Sequence, residues 1–124
     1  MSKARIATSR ESDPRKVLEA TCDLYESGER RRSIKLFKQA ASDGVVEAQI
    51  NLANIYDAGD GLKRDFEAAR YWYRRAISQG SPEAAYNLGV SYLNRDNFRW
   101  ARYWLLIAEK SGDEDAKELL AGLL

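Results

Sequence analysis

The chain holds 124 residues, with 20 Lys and Arg against 19 Asp and Glu, no histidine, one cysteine and three tryptophans. That inventory excludes any Ser-His-Asp or Cys-His arrangement, any His-ligated zinc or haem, an intramolecular disulfide and a Cys-x-x-Cys pair. A chain of this size suits one domain hiding roughly two thirds of its extended surface, and 31% charged with 44% hydrophobic residues points neither to global disorder nor to a membrane span.

In chain order, residues 1–12 are polar and broken by charge, and they are expected to form a flexible tail outside the fold. The opening stretch lacks the apolar segment of a secretory signal, and no later run approaches the ~18 apolar residues of a membrane helix, so a soluble cytoplasmic protein is expected. The lone Cys22 favours a reducing compartment. Asp13-Pro14 reads as a cap and first turn and opens a helix over 14–27, followed by a second over 31–43 that stops at Gly44. Further helices are predicted over 46–57 and 65–79, with Gly59-x-Gly61 in the loop between them and Gly80 as the stop. Ser81-Pro82 then opens 82–94, a helix over 97–111 ends at Gly112, and a last helix spans 114–123 with no partner after it.

The chain repeats itself. EAQINLANIY (47–56) and EAAYNLGVSY (83–92) agree at Glu, Ala, Asn, Leu and Tyr with a shift of 36, while ARYW recurs at 69–72 and 101–104 with a shift of 32. The third unit has therefore lost four residues between its helices. The register extends backwards through Ser33, Ala69 and Ala101, then Leu36, Trp72 and Trp104, then Phe37, Tyr73 and Leu105, and Ala40, Ala76 and Ala108. In the first helices, Cys22, Ala53 and Gly89 share a column, as do Tyr25, Tyr56 and Tyr92. Ala69, Tyr73 and Ala76 fall at spacings of four and three, a single helical face on which small residues admit a close neighbour.

A unit reading A-x-x-x-L-(G/A)-x-x-Y-x-x-G-x-G-x-x-x-D-x-x-x-A-x-x-W-Y-x-x-A-x-x-x-G resembles the Sel-one-like repeat, a longer-looped relative of the tetratricopeptide repeat. The middle unit carries it at Ala48, Leu52, Ala53, Tyr56, Gly59, Gly61, Asp65, Ala69, Trp72, Tyr73, Ala76 and Gly80. The third keeps Ala84, Leu88, Gly89, Tyr92, Ala101, Trp104, Ala108 and Gly112 without the double glycine, and the first is degenerate, with Thr21 in place of leucine. The resemblance implies an all-α fold, a right-handed α/α superhelical solenoid of three helix–turn–helix repeats plus a C-terminal capping helix. The units would be 13–44, 45–80 and 81–112, with a cap at 113–124.

It also implies where a partner would bind. By likeness to the tetratricopeptide pattern, the concave positions are Lys16, Glu19, Ala20, Asp23, Glu26 and Ser27 in the first unit. Glu47, Ile50, Asn51, Asn54, Asp57 and Ala58 follow in the second, and Glu83, Tyr86, Asn87, Val90, Leu93 and Asn94 in the third. This face is acidic, whereas Arg31, Arg32, Lys35, Lys38, Arg70, Arg74, Arg75, Arg99 and Arg102 make the second helices basic. Asn51 and Asn87 can hold a peptide backbone or fix one unit against the next. Ile50, Tyr86, Val90 and Leu93 offer apolar contact, and Tyr86 and Leu93 are the preferred contact residues.

Other motifs have plainer readings. Trp72 and Trp104 recur in register and are expected in the core, whereas Trp100 replaces Ala68 and is an interface candidate. The basic run 28–38 invites nucleic acid, but net charge is only +1 and no recognised module accompanies it, so none is expected. Gly59-x-Gly61 follows a helix and not a strand, which removes the phosphate-loop reading. Cys22 fits a small buried position, and Asp57, Asp60 and Asp65 read as caps and turn residues, so no catalytic site, cofactor or metal is expected. The resemblance implies a non-enzymatic adaptor binding a protein or peptide with a basic or amphipathic segment. The alternative is a dedicated inhibitor, such as a bacterial immunity protein neutralising one effector toxin. In the last helix, Leu119 and Leu120 suit a half-repeat cap, while Leu123 and Leu124 are candidates for a homodimer contact.

Overall fold

Seven helices follow one another in the computed structural model, which describes residues 14–26 and 29–123. They are α1 (Pro14–Glu26), α2 (Arg30–Ser42), α3 (Val46–Ala58), α4 (Phe66–Ser78), α5 (Pro82–Leu93), α6 (Phe98–Lys110) and α7 (Glu114–Leu123). Every predicted span is met within a residue or so, and there is no strand among the described residues. The expected tail at 1–12, the Asp13 cap, Ser27, Leu124 and the side chain of Glu26 lie outside the described residues.

The ends of the helices are set by the residues the repeat supplies. Gly44, Gly80 and Gly112 have φ of 94°, 90° and 100°, left-handed values that a side chain disfavours. At each of these ends the next N–H turns back to a carbonyl of the last helical turn: Val45 to Ala40 at 3.1 Å, Ser81 to Ala76 at 3.3 Å and Asp113 to Ala108 at 3.0 Å. The starts of α4, α5 and α6 are capped by side chains. Asp65 accepts from the Ala68 N–H at 3.1 Å, Ser81 from Ala84 at 3.1 Å with Pro82 in the first turn, and Asn97 from Trp100 at 3.3 Å.

The loop inside the second unit does more than turn. A Cβ on Gly61 would lie 2.9 Å from Ile34 Cδ1 and 3.2 Å from Arg30 Cβ, so the loop rests on α2 of the preceding unit. Tyr25 of α1 clasps it, its hydroxyl donating to Asp60 Oδ2 at 2.6 Å while Arg30 meets Asp60 Oδ1 at 3.4 Å. Four residues shorter, the third unit turns instead through Asp96 at φ 58°. Both routes finish alike, the N–H of Asp65 and of Asn97 reaching Tyr56 O and Tyr92 O at 2.9 Å.

Each helix packs on its chain neighbours, α3 against α4 and α5 against α6 most extensively, and α3 also touches α5 directly. The central core joins Ile50 and Ala53 to Ala69, Tyr73, Ala76, Ala84, Leu88, Tyr92, Ala101 and Trp104. A large apolar side chain buried this way contributes about 1.5–3 kcal/mol relative to exposure. On the N-terminal side Ile34, Phe37, Ala41, Ala48, Leu52 and Ile55 form a second core, and on the other side Ala85, Leu105, Ala108 and Ala116 form a third. Ala116 stands in the register of Ala48 and Ala84, and all three are fully buried, so α7 packs as the first helix of a further unit. Leu119, Leu120 and Leu123 pack half-buried against that third core. This takes up part of the surface that a dimer through Leu123 would use.

Candidate protein-binding groove

The first helices α1, α3 and α5 carry the expected concave positions. Between α3 and α5 lies a cleft of about 310 Å³ lined by Asn54, Asp57, Tyr73, Tyr86, Asn87, Val90 and Ser91. Five of the expected concave positions, Asn54, Asp57, Tyr86, Asn87 and Val90, thus meet in one place. Glu47 and Glu83 are exposed in the first turns of α3 and α5, Glu19 and Asp23 are exposed on α1, and Asn94 is exposed just past α5.

Two networks shape the cleft. Tyr73 reaches from α4 to donate its hydroxyl to Asn54 Oδ1, and the Asn87 amide donates to the same oxygen at 3.4 Å. Burial, with the Asp57 charge nearby, pushes the Tyr73 phenol well above its usual range, so it stays a donor. Deeper, Asp57 Oδ1 accepts from Ser91 Oγ at 2.9 Å and from Arg95 Nη1 at 3.1 Å. Arg95 also donates to Ser91 O at 3.1 Å and stacks its guanidinium 4.0 Å above the Phe66 ring.

Several expectations need revision. Ile50 is only 5% exposed and belongs to the central core, because its side chain fills the space between α3 and the next unit. It offers a partner nothing. Asn51 is half-buried and donates to Cys22 Sγ at 3.7 Å across α1 and α3, while Asn87 bonds across α3 and α5. Both asparagines thus fix neighbouring units, and Asn87 still faces the cleft. Leu93 is half-buried and packs against two cores. Asp57 acts as an ion-pair partner for Arg95 and not as a helix cap. Cys22 is half-buried with its sulfur accepting from Asn51.

Sequence reasoning missed Arg95, Ser91 and Gln49. Arg95 sits in the shortened turn, where the register has no counterpart, and its only signal was a place one helical turn after Ser91. Gln49 is fully buried, donating to Ala41 O at 3.1 Å and accepting from Gln79 at 3.0 Å, a bridge between units at a position the repeat pattern leaves blank. The aromatic readings fare differently. Trp104 is 8% exposed and Trp72 is half-buried between two cores, whereas Trp100 is 43% exposed.

Compared with known proteins, the Sel1 repeat family matches three successive stretches, 24–45, 46–81 and 82–113. The chain belongs to the Sel1 repeat family. Among solved structures, this Sel1 repeat protein is similar to the Sel1 repeat protein from Oxalobacter formigenes, with a TM-score of 0.68 and 28% identity over 85% of each chain. It also shares the fold of c5321, a protective antigen of uropathogenic Escherichia coli, at a TM-score of 0.69 and 24% identity over 80% of this chain and 23% of that one. Chitin synthase regulatory factor 2 of Schizosaccharomyces pombe is 32% identical over 84 residues, 58% of this chain. DAP3-binding cell death enhancer 1 of Rattus norvegicus is 33% identical over 64 residues, 52% of this chain. The match spans only 16% and 12% of the length of these two relatives. Sel1 repeat proteins generally mediate protein–protein interaction, and the fold is typically a non-catalytic scaffold. No helix among the described residues is long and apolar enough to cross a membrane.

Proposed function

We propose that this Sel1 repeat chain is a non-enzymatic adaptor whose concave face receives a basic or amphipathic segment of another protein. The observation that carries the reading is the cleft between α3 and α5, where Tyr86 and Val90 give apolar surface beside the amides of Asn54 and Asn87. Such a mixture suits a peptide held partly through its backbone and partly through an apolar side chain. Asp57 is neutralised by Arg95, so the acidic bias rests on the exposed Glu19, Asp23, Glu47 and Glu83. Charges at an exposed rim act mainly on encounter rate and selectivity. The test is affinity purification with mass spectrometry, run on the native chain and on a variant carrying Asp23→Lys, Glu47→Lys and Glu83→Lys. The principal partner should be lost from the variant. A partner set that survives both this change and Tyr86→Ala would place the binding surface elsewhere.

A further inference from the structure

The opposite side of the helical stack carries a surface that the groove reading leaves unused. On α4 and α6, Tyr71, Trp100 and Tyr103 are 55%, 43% and 49% exposed. These rings are held, not loose. Tyr71 packs edge-on against Trp72 with centroids 5.0 Å apart, and Tyr103 against the buried Trp104 at 4.9 Å. Trp100 in turn leans on Tyr103 at 5.2 Å. Rings already fixed in this way lose little freedom when a partner covers them.

Arginines interleave with the rings. The Arg74 guanidinium lies 5.8 Å from the centre of Trp104 and so bridges α4 to α6, and Arg75 lies 5.2 Å from Trp72 and 5.9 Å from Tyr71. Stacking uses the flat face of a guanidinium and leaves its N–H edge for a carboxylate. Arg74, Arg75 and the exposed Arg99 form no ion pair with a described residue, whereas Arg70 is committed to Glu67 at 2.7 Å. Beside them is a depression of about 520 Å³ on the outer face of α4, lined by Arg70, Tyr71, Arg74 and Arg75 together with Glu67 and Ser78.

We propose that this wall is a second docking surface, for an acidic protein segment in which Asp or Glu flanks an apolar anchor. The anchor covers the exposed rings and the carboxylates take the free guanidinium edges. Charge complementarity decides the occupant, since Glu67 is the one acidic residue in the depression and is already paired. Trp, Tyr and Arg are also the residues that dominate protein–protein hot spots. A nucleic acid fits less well. Base stacking is favoured where rings stand free, and here Arg75 already lies 5.9 Å from the centre of Tyr71. A net charge of +1 supplies little long-range attraction for a polyanion. The wall is independent of the groove, so a single chain would bridge an acidic partner and a basic one.

The experiment is selection of random phage-displayed peptides on the immobilised full chain, followed by anisotropy titration of the enriched peptides. Enriched sequences should be net acidic with an aliphatic or aromatic anchor. Their affinity should fall at least about tenfold in Arg74→Glu with Arg99→Glu, and again in Trp100→Ala with Tyr103→Ala. Glu47→Lys with Glu83→Lys, on the other side, should leave it unchanged. The milder Arg74→Lys with Arg99→Lys keeps the charge but not the planar fork and should lose an intermediate amount, and circular dichroism melts establish that each variant is folded. An empty selection, peptides without acidic bias, or binding that survives both wall variants would overturn the proposal. So would oligodeoxythymidylate competing as well as the peptide. Concentration-dependent self-association abolished by Arg74→Glu would replace it with a second copy as occupant.

Discussion

At Gly89 an added Cβ would sit 2.7 Å from Leu105 Cγ and 2.9 Å from its Cδ2, so a hydrogen at this position sets how near α5 comes to α6. Helix propensity alone would favour alanine by up to about 1 kcal/mol. The overlap is with a fully buried leucine branch that has nowhere to go, and overpacking of that kind costs about 1–3 kcal/mol. Gly89→Ala should therefore lower stability in urea unfolding. Gly122→Ala, also within a helix but with nothing near its Cβ, should raise stability by a few tenths to about 1 kcal/mol. A gain at both sites would refute the close-approach account. The column of Cys22, Ala53 and Gly89 was legible because repetition forces small residues wherever two helices nearly touch. Ile50 was misread because a groove position taken from a related pattern does not say how far the next unit leans over it. Arg95 and Gln49 were invisible for a different reason, since a polar side chain bridging units leaves no period.

Helices and their ends were legible almost to the residue, because the stops of α2, α3, α4 and α6 use a left-handed glycine and each capped start an oxygen, and few residue types supply either. What a loop rests on was not legible. Gly59 and Gly61 read as turn formers, yet the same segment is held by Tyr25 of α1 and by Arg30 of α2 through Asp60. That clasp predicts a pH dependence. Burial, reinforced by the bond to Asp60 and its charge, raises the Tyr25 phenol from 10.0 to about 12. Below pH 10 the phenol is protonated in folded and unfolded chains alike, and its contribution is complete. As pH rises from 10.0 towards about 12, the unfolded chain releases the proton that the folded chain retains, so stability must fall. Tyr73 shifts in the same direction and adds to the loss. Tyr25→Phe should cost about 1 kcal/mol at neutral pH and flatten part of the alkaline decline. Urea midpoints measured across the alkaline range check both, and an unchanged slope in the variant would mean the clasp is not formed in solution.

Near-equal totals of acid and base in the whole chain conceal an uneven placement, with exposed Glu19, Asp23, Glu47 and Glu83 on α1, α3 and α5 and exposed Arg74, Arg99 and Arg102 on α4 and α6. Holding the two groups in place requires the units to stay in register, and in a stack of this kind each unit is stabilised mainly by its neighbours. The central core draws on α3, α4, α5 and α6, whereas among the described residues α1 and α7 are each covered from one side. Amide exchange should therefore be slowest in α3 to α6 and fastest in α1 and α7. Arg95 is a principal polar link between the second and third units, since it joins Asp57 of α3 to Ser91 of α5 while its guanidinium lies over Phe66 of α4. With 28% and 20% of the two side chains exposed, Arg95→Ala leaves a largely covered carboxylate with only the Ser91 hydroxyl. The cost should be about 1–3 kcal/mol. It should also be directional. If the link couples units, α5 to α7 will gain exchange before α1 and α2 do. Equal acceleration throughout would mean that the stack opens as one body and that Arg95 adds stability without transmitting it.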